Sequence, residues 1–183
     1  MLEILATTFG LIQGATVMMN KRCNWIFYII QMILMAIFSW QNHLYGDTIN
    51  SSIYVIFGLV GYGMWGSDGK LISISSKLDI AVYCVLIISG TYFIRAILIS
   101  TNDPLPTLDA FTTISSFVAT VLMVEHKLDT WVVWFINDIA YIVEYWLLPD
   151  QALYLLGLNI IWTIMAVSSF IIWRKKMLLG EKC

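Results

Sequence analysis

The chain has 183 residues, 60% of them hydrophobic and 12% charged, with a mean hydropathy of +0.81 and a formal net charge of -2. A soluble domain carries about 25% charged residues, so this composition excludes a soluble globular protein and indicates an integral membrane one. The slight acidity excludes a nucleic-acid partner, and Cys23, Cys84 and Cys183 are too dispersed to form a metal or redox motif.

About 20 apolar residues cross ~30 Å of hydrocarbon, and on that scale the sequence predicts seven helices, over 2–19, 25–40, 48–66, 79–99, 107–124, 128–148 and 151–173. The first apolar run lacks a basic flank and a cleavage site, which marks a retained helix and not a signal peptide. The second carries Gln31 near its middle. In the third, Asn50, Tyr54, Phe57, Gly61 and Trp65 share a face. The fourth ends near Arg95. The fifth opens with Asp109 and continues with Thr112, Thr113, Ser116 and Thr120, a stripe whose small side chains let helices approach closely. Between the helices stand "NKRCN", "QNHLYGD", "SDGKLISISSK", "STNDPLP", "VEHKLD" and "LLPD", rich in charge, Gly, Pro and Asn as connections are. Little chain remains for a soluble domain.

Helix six, "WVVWFINDIAYIVEYW", is the most informative. At 100° per residue, Trp131, Trp134, Asp138, Tyr141 and Tyr145 fall within an arc of about 80°. Asn137 and Glu144 lie together on its flank. A carboxylate inside a membrane segment costs several kcal/mol and normally faces a cavity or a partner. Aromatic faces stack on flat heterocycles and attract cations, while a carboxylate in low dielectric favours a positive charge or accepts hydrogen bonds. The stripe therefore suits an aromatic, cationic solute. A structural acid at Asp138 and a Glu144 that snorkels to the interface are the alternatives.

Nine of the ten basic residues follow helices one, three, five and seven: Lys21, Arg22, Lys70, Lys77, Lys127, Arg174, Lys175, Lys176 and Lys182. By the positive-inside rule the N-terminus is outside and the C-terminus cytoplasmic. An internal repeat has the same logic. "KRCNWIFYIIQ" and "KLDTWVVWFIN" align Lys21, Trp25, Tyr28 and Gln31 with Lys127, Trp131, Trp134 and Asn137. Repeat one spans about 1–66, a linker helix about 79–99 and repeat two about 107–173, giving one transmembrane domain of two parallel bundles. In transporters built from parallel repeats the solute is held between them. Chance matching of interfacial aromatics is the competing explanation.

The stretches "NWIFYIIQMILMAIFSWQNHLYGDTINSSIYVIFGLVGYGMW" and "LDAFTTISSFVATVLMVEHKLDTWVVWFINDIAYIVEYW" resemble the two halves of the Pnu vitamin transporters. The aromatic start of helix two, "LYGD", "GYGMW", Asp109 opening helix five and the W-x-x-W of helix six carry the resemblance, which covers nearly the whole chain. It implies an all-α membrane fold, two three-helix bundles joined by a linking helix (3+1+3), similar to SWEET sugar transporters but with the bundles wound differently. It implies facilitated diffusion across the inner (plasma) membrane, with a cytoplasmic kinase trapping the solute. The family's binding residues carry over onto Trp131, Trp134 and Asp138, where some relatives have Asn at the last position, and onto Gln31 in place of another Asn. Branches of the family take nicotinamide riboside, thiamine, riboflavin or deoxynucleosides. The carboxylate in the stripe ranks the two permanent cations first, nicotinamide riboside ahead of thiamine.

The residues expected at the site are thus Trp131, Trp134, Asp138, Tyr141, Asn137, Gln31, Asn50, Asp109 and Glu144, with no metal and no cofactor. A membrane enzyme would need a nucleophile with its base, or a metal set, and His43 and His126 both fall in predicted loops without companions. A channel would favour rings of small or charged residues over an aromatic patch. The sequence is compatible with a homo-oligomer and does not specify one.

Overall fold

The computed structural model describes residues 2–41, 43, 45–66, 71–101, 103–147 and 153–181. They form seven α-helices: α1 Leu2–Met18, α2 Asn24–Gln41, α3 Tyr45–Met64, α4 Lys77–Leu98, α5 Pro106–Val124, α6 Thr130–Leu147 and α7 Leu153–Leu179, with a 3-10 turn at Ile99–Thr101 after α4. Two boundaries depart from expectation. Tyr45, Gly46 and Asp47, read as connection, already belong to α3. α7 continues through Arg174, Lys175 and Lys176 instead of ending at 173; the basic residues leave the apolar run but keep helical geometry, and Lys176 Nζ donates to the Met19 carbonyl at 2.7 Å.

Helix ends follow from local chemistry. Asn20, His43 and His126 stop the chain in left-handed conformations, at φ 60°, 61° and 64°, a region that Asn and His tolerate better than most residues. Ser76 and Asp79 form a reciprocal capping box at the start of α4, at 3.1 and 2.9 Å. Pro106 opens α5, where its missing N–H loses no helical bond. Gly180 closes α7 at φ 66°.

The turns before α2 and α6 share one backbone pattern. Lys21 N donates to Thr16 O at 3.0 Å and Lys127 N to Leu122 O at 2.9 Å; Trp25 N to Arg22 O and Trp131 N to Leu128 O are both 3.2 Å; Ile26 N to Cys23 O is 3.1 Å and Val132 N to Asp129 O is 3.0 Å. Each pair is offset by 106 residues, the separation of Asn20 from His126.

The chain divides into two compact units. The first takes the described residues within 1–72, 124–126 and 172–183. Here α2 packs between α1 and α3, and glycines permit the approach: a Cβ on Gly58 would sit 2.6 Å from Ile29, and one on Gly61 would enter the Trp25 indole. Rings then follow one another edge-on, Trp65 on Trp25 at 5.5 Å, Trp25 on Tyr28 at 5.6 Å and Tyr28 on Tyr54 at 6.2 Å. At the α1–α2 turn the buried His126 ring lies parallel to Trp65 at 4.2 Å. Its Nε2 donates to Asn20 Oδ1, which can only accept, at 2.5 Å. Trp173 tilts onto both rings and gives its indole N–H to Val17 O at 2.9 Å.

The second unit takes the described residues within 73–123 and 127–171. Over half of the α5 span is buried, 56%, against none of α4, so α5 is its centre. α4 leans on α5 at Gly90, where a Cβ would stand 3.0 Å from Ile114. On another side α6 is pinned to α5 by Thr130 Oγ1, which donates to Ala119 O at 2.7 Å. Among the described residues, four helices are long and apolar enough to cross a membrane: 24–41, 77–101, 106–124 and 155–179. α6 falls outside that set because its polar stripe dilutes its hydropathy.

Candidate functional site

Seven of the expected site residues lie on α5 and α6 of the second unit. Along α6, Trp131 and Asp138 are 6% and 5% exposed and Asn137 is 0% exposed, while Trp134, Tyr141 and Glu144 are half-buried. The opposite face, with Val132, Phe135, Ile136 and Ile139, is exposed. The helix is therefore amphipathic in a reversed sense: its polar groups face inward and its aliphatic ones outward, as lipid demands.

The inward groups have different fates. Asn137 accepts from Ser115 Oγ at 2.7 Å and donates its Nδ2 proton to Ser116 Oγ at 2.9 Å. Ser116 can accept because its own proton goes to Thr112 O at 2.7 Å. Glu144 Oε2 meets Thr112 Oγ1 only at 3.4 Å, and that hydroxyl also lies within 3.0 and 3.1 Å of carbonyls of its own helix. Asp109 Oδ1 takes Thr113 Oγ1 at 3.3 Å. Tyr141 faces Ser116 and Thr112 with its hydroxyl and stacks its ring on Tyr145 at 5.7 Å and 9°.

Asp138 is the exception. It is buried, yet among the described residues its carboxylate has neither a hydrogen-bond donor nor a cation. Trp134, one turn earlier, keeps its indole Nε1 buried and likewise unpartnered among the described residues. A buried polar group normally has a partner, and this face of α6 carries an acceptor and a donor with none among the described residues. A cleft of about 340 Å³ between α4 and α5 is lined by Leu86, Ile114, Phe117 and Val121 with only Tyr83 and Ser89 polar, and offers nothing to a charged solute.

Gln31 and Asn50 lie in the first unit, on α2 and α3. Both are half-buried and neither amide has a hydrogen-bond partner among the described residues. Gln31 rests on Gly10, where a Cβ would come within 2.7 Å of its Nε2. Sequence reasoning overlooked Ser115, because only the α5–α6 register makes it a partner of Asn137. It also left His126 as a loop residue. The 106-residue offset that aligns Trp25 with Trp131 aligns Asn20 with His126, and would have singled both out.

Residues 1–175 match the family model described as nicotinamide mononucleotide transporter. The chain belongs to that family. Among curated proteins, the nicotinamide riboside transporter PnuC of Neisseria mucosa (strain ATCC 25996 / DSM 4631 / NCTC 10774 / M26) is 25% identical over 189 residues, 95% of this chain and 72% of the relative. A crystal structure of the vitamin B3 transporter PnuC superposes with a TM-score of 0.77 at 24% identity, covering 98% of this chain and 83% of that one. The all-helical fold is thus that of a nicotinamide mononucleotide transporter family member, and the protein is a multi-pass membrane transporter whose relatives are likewise transporters.

Proposed function

We propose that this transporter carries nicotinamide riboside, the unphosphorylated cation, through the α6 face built around Asp138. One observation carries the reading. α5 and α6 carry three carboxylates along their length, Asp109, Asp138 and Glu144, and contain no Lys, Arg or His. A nucleotide's phosphate is stabilised by Arg, Lys or backbone N–H groups, and acids facing it would repel it. A ring bearing a fixed positive charge is favoured by the same acids, and by stacking on Trp131 and Trp134. The Trp134 N–H, buried and unpartnered among the described residues, is a donor that a ribose oxygen would satisfy. Thiamine meets the same charge requirement and is the second candidate; riboflavin and deoxynucleosides do not.

The reading includes facilitated diffusion with no chemistry on the solute, a cytoplasmic kinase trapping the product, and placement in the inner (plasma) membrane with the N-terminus outside. The basic residues after helices one, three, five and seven support that orientation. Purified protein in liposomes should take up radiolabelled nicotinamide riboside saturably and without an ion gradient, with thiamine second and nicotinamide mononucleotide excluded. Uptake of the mononucleotide at a comparable rate would defeat the charge argument.

A further inference from the structure

We infer that Asn137 is a positioning residue, which sets the aim of the Asp138 carboxylate and does not itself touch the solute. The inference rests on Asp138 being the solute's carboxylate. Asn137 is fully buried, 0% exposed, and its amide is turned to α5. Both ends of its amide are engaged by α5, Oδ1 by Ser115 at 2.7 Å and Nδ2 by Ser116 at 2.9 Å. The Ser116 arm is the firmer. Ser115 Oγ also lies 2.6 Å from Phe111 O and has one proton for the two acceptors.

Asp138 needs such a neighbour because nothing among the described residues anchors its carboxylate. Its direction is inherited from the rotation of α6 about its axis. Buried bonds to α5 fix that rotation at two places, Thr130 to Ala119 O at 2.7 Å near the start of the helix and the Asn137 amide two turns later. A site residue loses effect when its support lets it drift by about 1 Å. The first repeat solves the same contact differently. Gln31, the counterpart of Asn137, rests on Gly10, and Gly10 stands as far before Ser116 as Asn20 stands before His126. A methylene longer on one helix matches a hydroxymethyl shorter on the other. Gln31 thereby keeps its amide open, whereas Asn137 spends its own on the helix pair.

The test uses the full-length protein in nanodiscs, with nicotinamide riboside and its reduced form, an uncharged ring on the same ribose, as calorimetric ligands. Asn137→Ala, with its melting transition retained, should weaken the cation by about tenfold or more and the reduced form by less than about threefold. The double variant Ser116→Gly with Asn137→Gln, which transplants the first repeat's pair, should restore the cation to within about threefold of the original. Equal losses for both ligands, or an unchanged ratio, would overturn the positioning role. If Asn137→Ala does not fold, Ser116→Ala removes the firmer arm alone and carries the same expectations. Asp138→Asn separates the two levels: if it leaves the cation-to-neutral ratio unchanged, the Asp138 reading fails, whatever Asn137 does.

Discussion

Gly10→Ala offers a perturbation that moves the Gln31 amide, a solute contact expected from the sequence, without replacing it. The new Cβ would stand 2.7 Å from Gln31 Nε2, whereas ordinary contact begins near 3.4 Å, so the amide must retreat by about 0.7 Å, the difference of those two distances. The obstacle is the far end of a flexible side chain, which can move at little cost to the fold. A hydrogen bond of about 2.9 Å stretched by that amount reaches about 3.6 Å and ceases to be one. A neutral hydrogen bond contributes ~0.5–1.5 kcal/mol, so the dissociation constant for nicotinamide riboside should rise roughly two- to tenfold. The melting temperature should hold. Gly61→Ala is the contrasting control: its Cβ would enter the indole of Trp25, which is fully buried and cannot retreat, and overpacking of that kind costs ~1–3 kcal/mol or more. Calorimetric titration beside a thermal melt distinguishes the two. An unchanged dissociation constant in a well-folded Gly10→Ala protein would refute the assignment of Gln31 to the site.

Trp134→Ala should weaken binding by ~1–3 kcal/mol, the worth of stacking a heterocycle on an aromatic ring, with folding intact; undiminished affinity would return this indole to an interfacial role. Trp173→Phe removes the bond to Val17 O while keeping a ring against His126, and should destabilise by ~0.5–1.5 kcal/mol in a thermal or denaturant melt without changing ligand preference. Reporters fused at Met1 and after Cys183 should read external and cytoplasmic, and finding both ends on one side would defeat the seven-span arrangement.

Much of this protein is written in its periodicities. The apolar runs located seven helices, and the 3.6-residue repeat placed Asp138, Trp131 and Trp134 on one face, because lipid forces polar groups inward. The missing part is what depends on a second helix. Ser115 differs from Thr113 only by which way α5 faces, so nothing in the local sequence marks it as the partner of Asn137. The contact of Gly10 with Gln31 depends on how α1 crosses α2. The end of α7 was misjudged for another reason: Arg174, Lys175 and Lys176 end a hydrophobic run, but they do not break a helix. His126 read as a solvated loop residue, because sequence reports polarity but not that Trp65 and Trp173 enclose the ring.

The bond between Asn20 and His126 joins residues 106 apart, the same offset that relates the turns before α2 and α6. If two identical three-helix chains met there, each would present that residue to its own copy. A histidine facing a histidine pairs only when one ring presents its N–H and the other its bare nitrogen, an asymmetry that the sequence of two equal chains does not set. Joining the halves in one polypeptide removes that constraint: one copy specialises as the acceptor and the other as the donor, and the contact acquires a direction. Exchanging the two residues, Asn20→His with His126→Asn, keeps the donor–acceptor pair, whereas either change alone sets like against like. The two positions are therefore expected to tolerate exchange together and not singly.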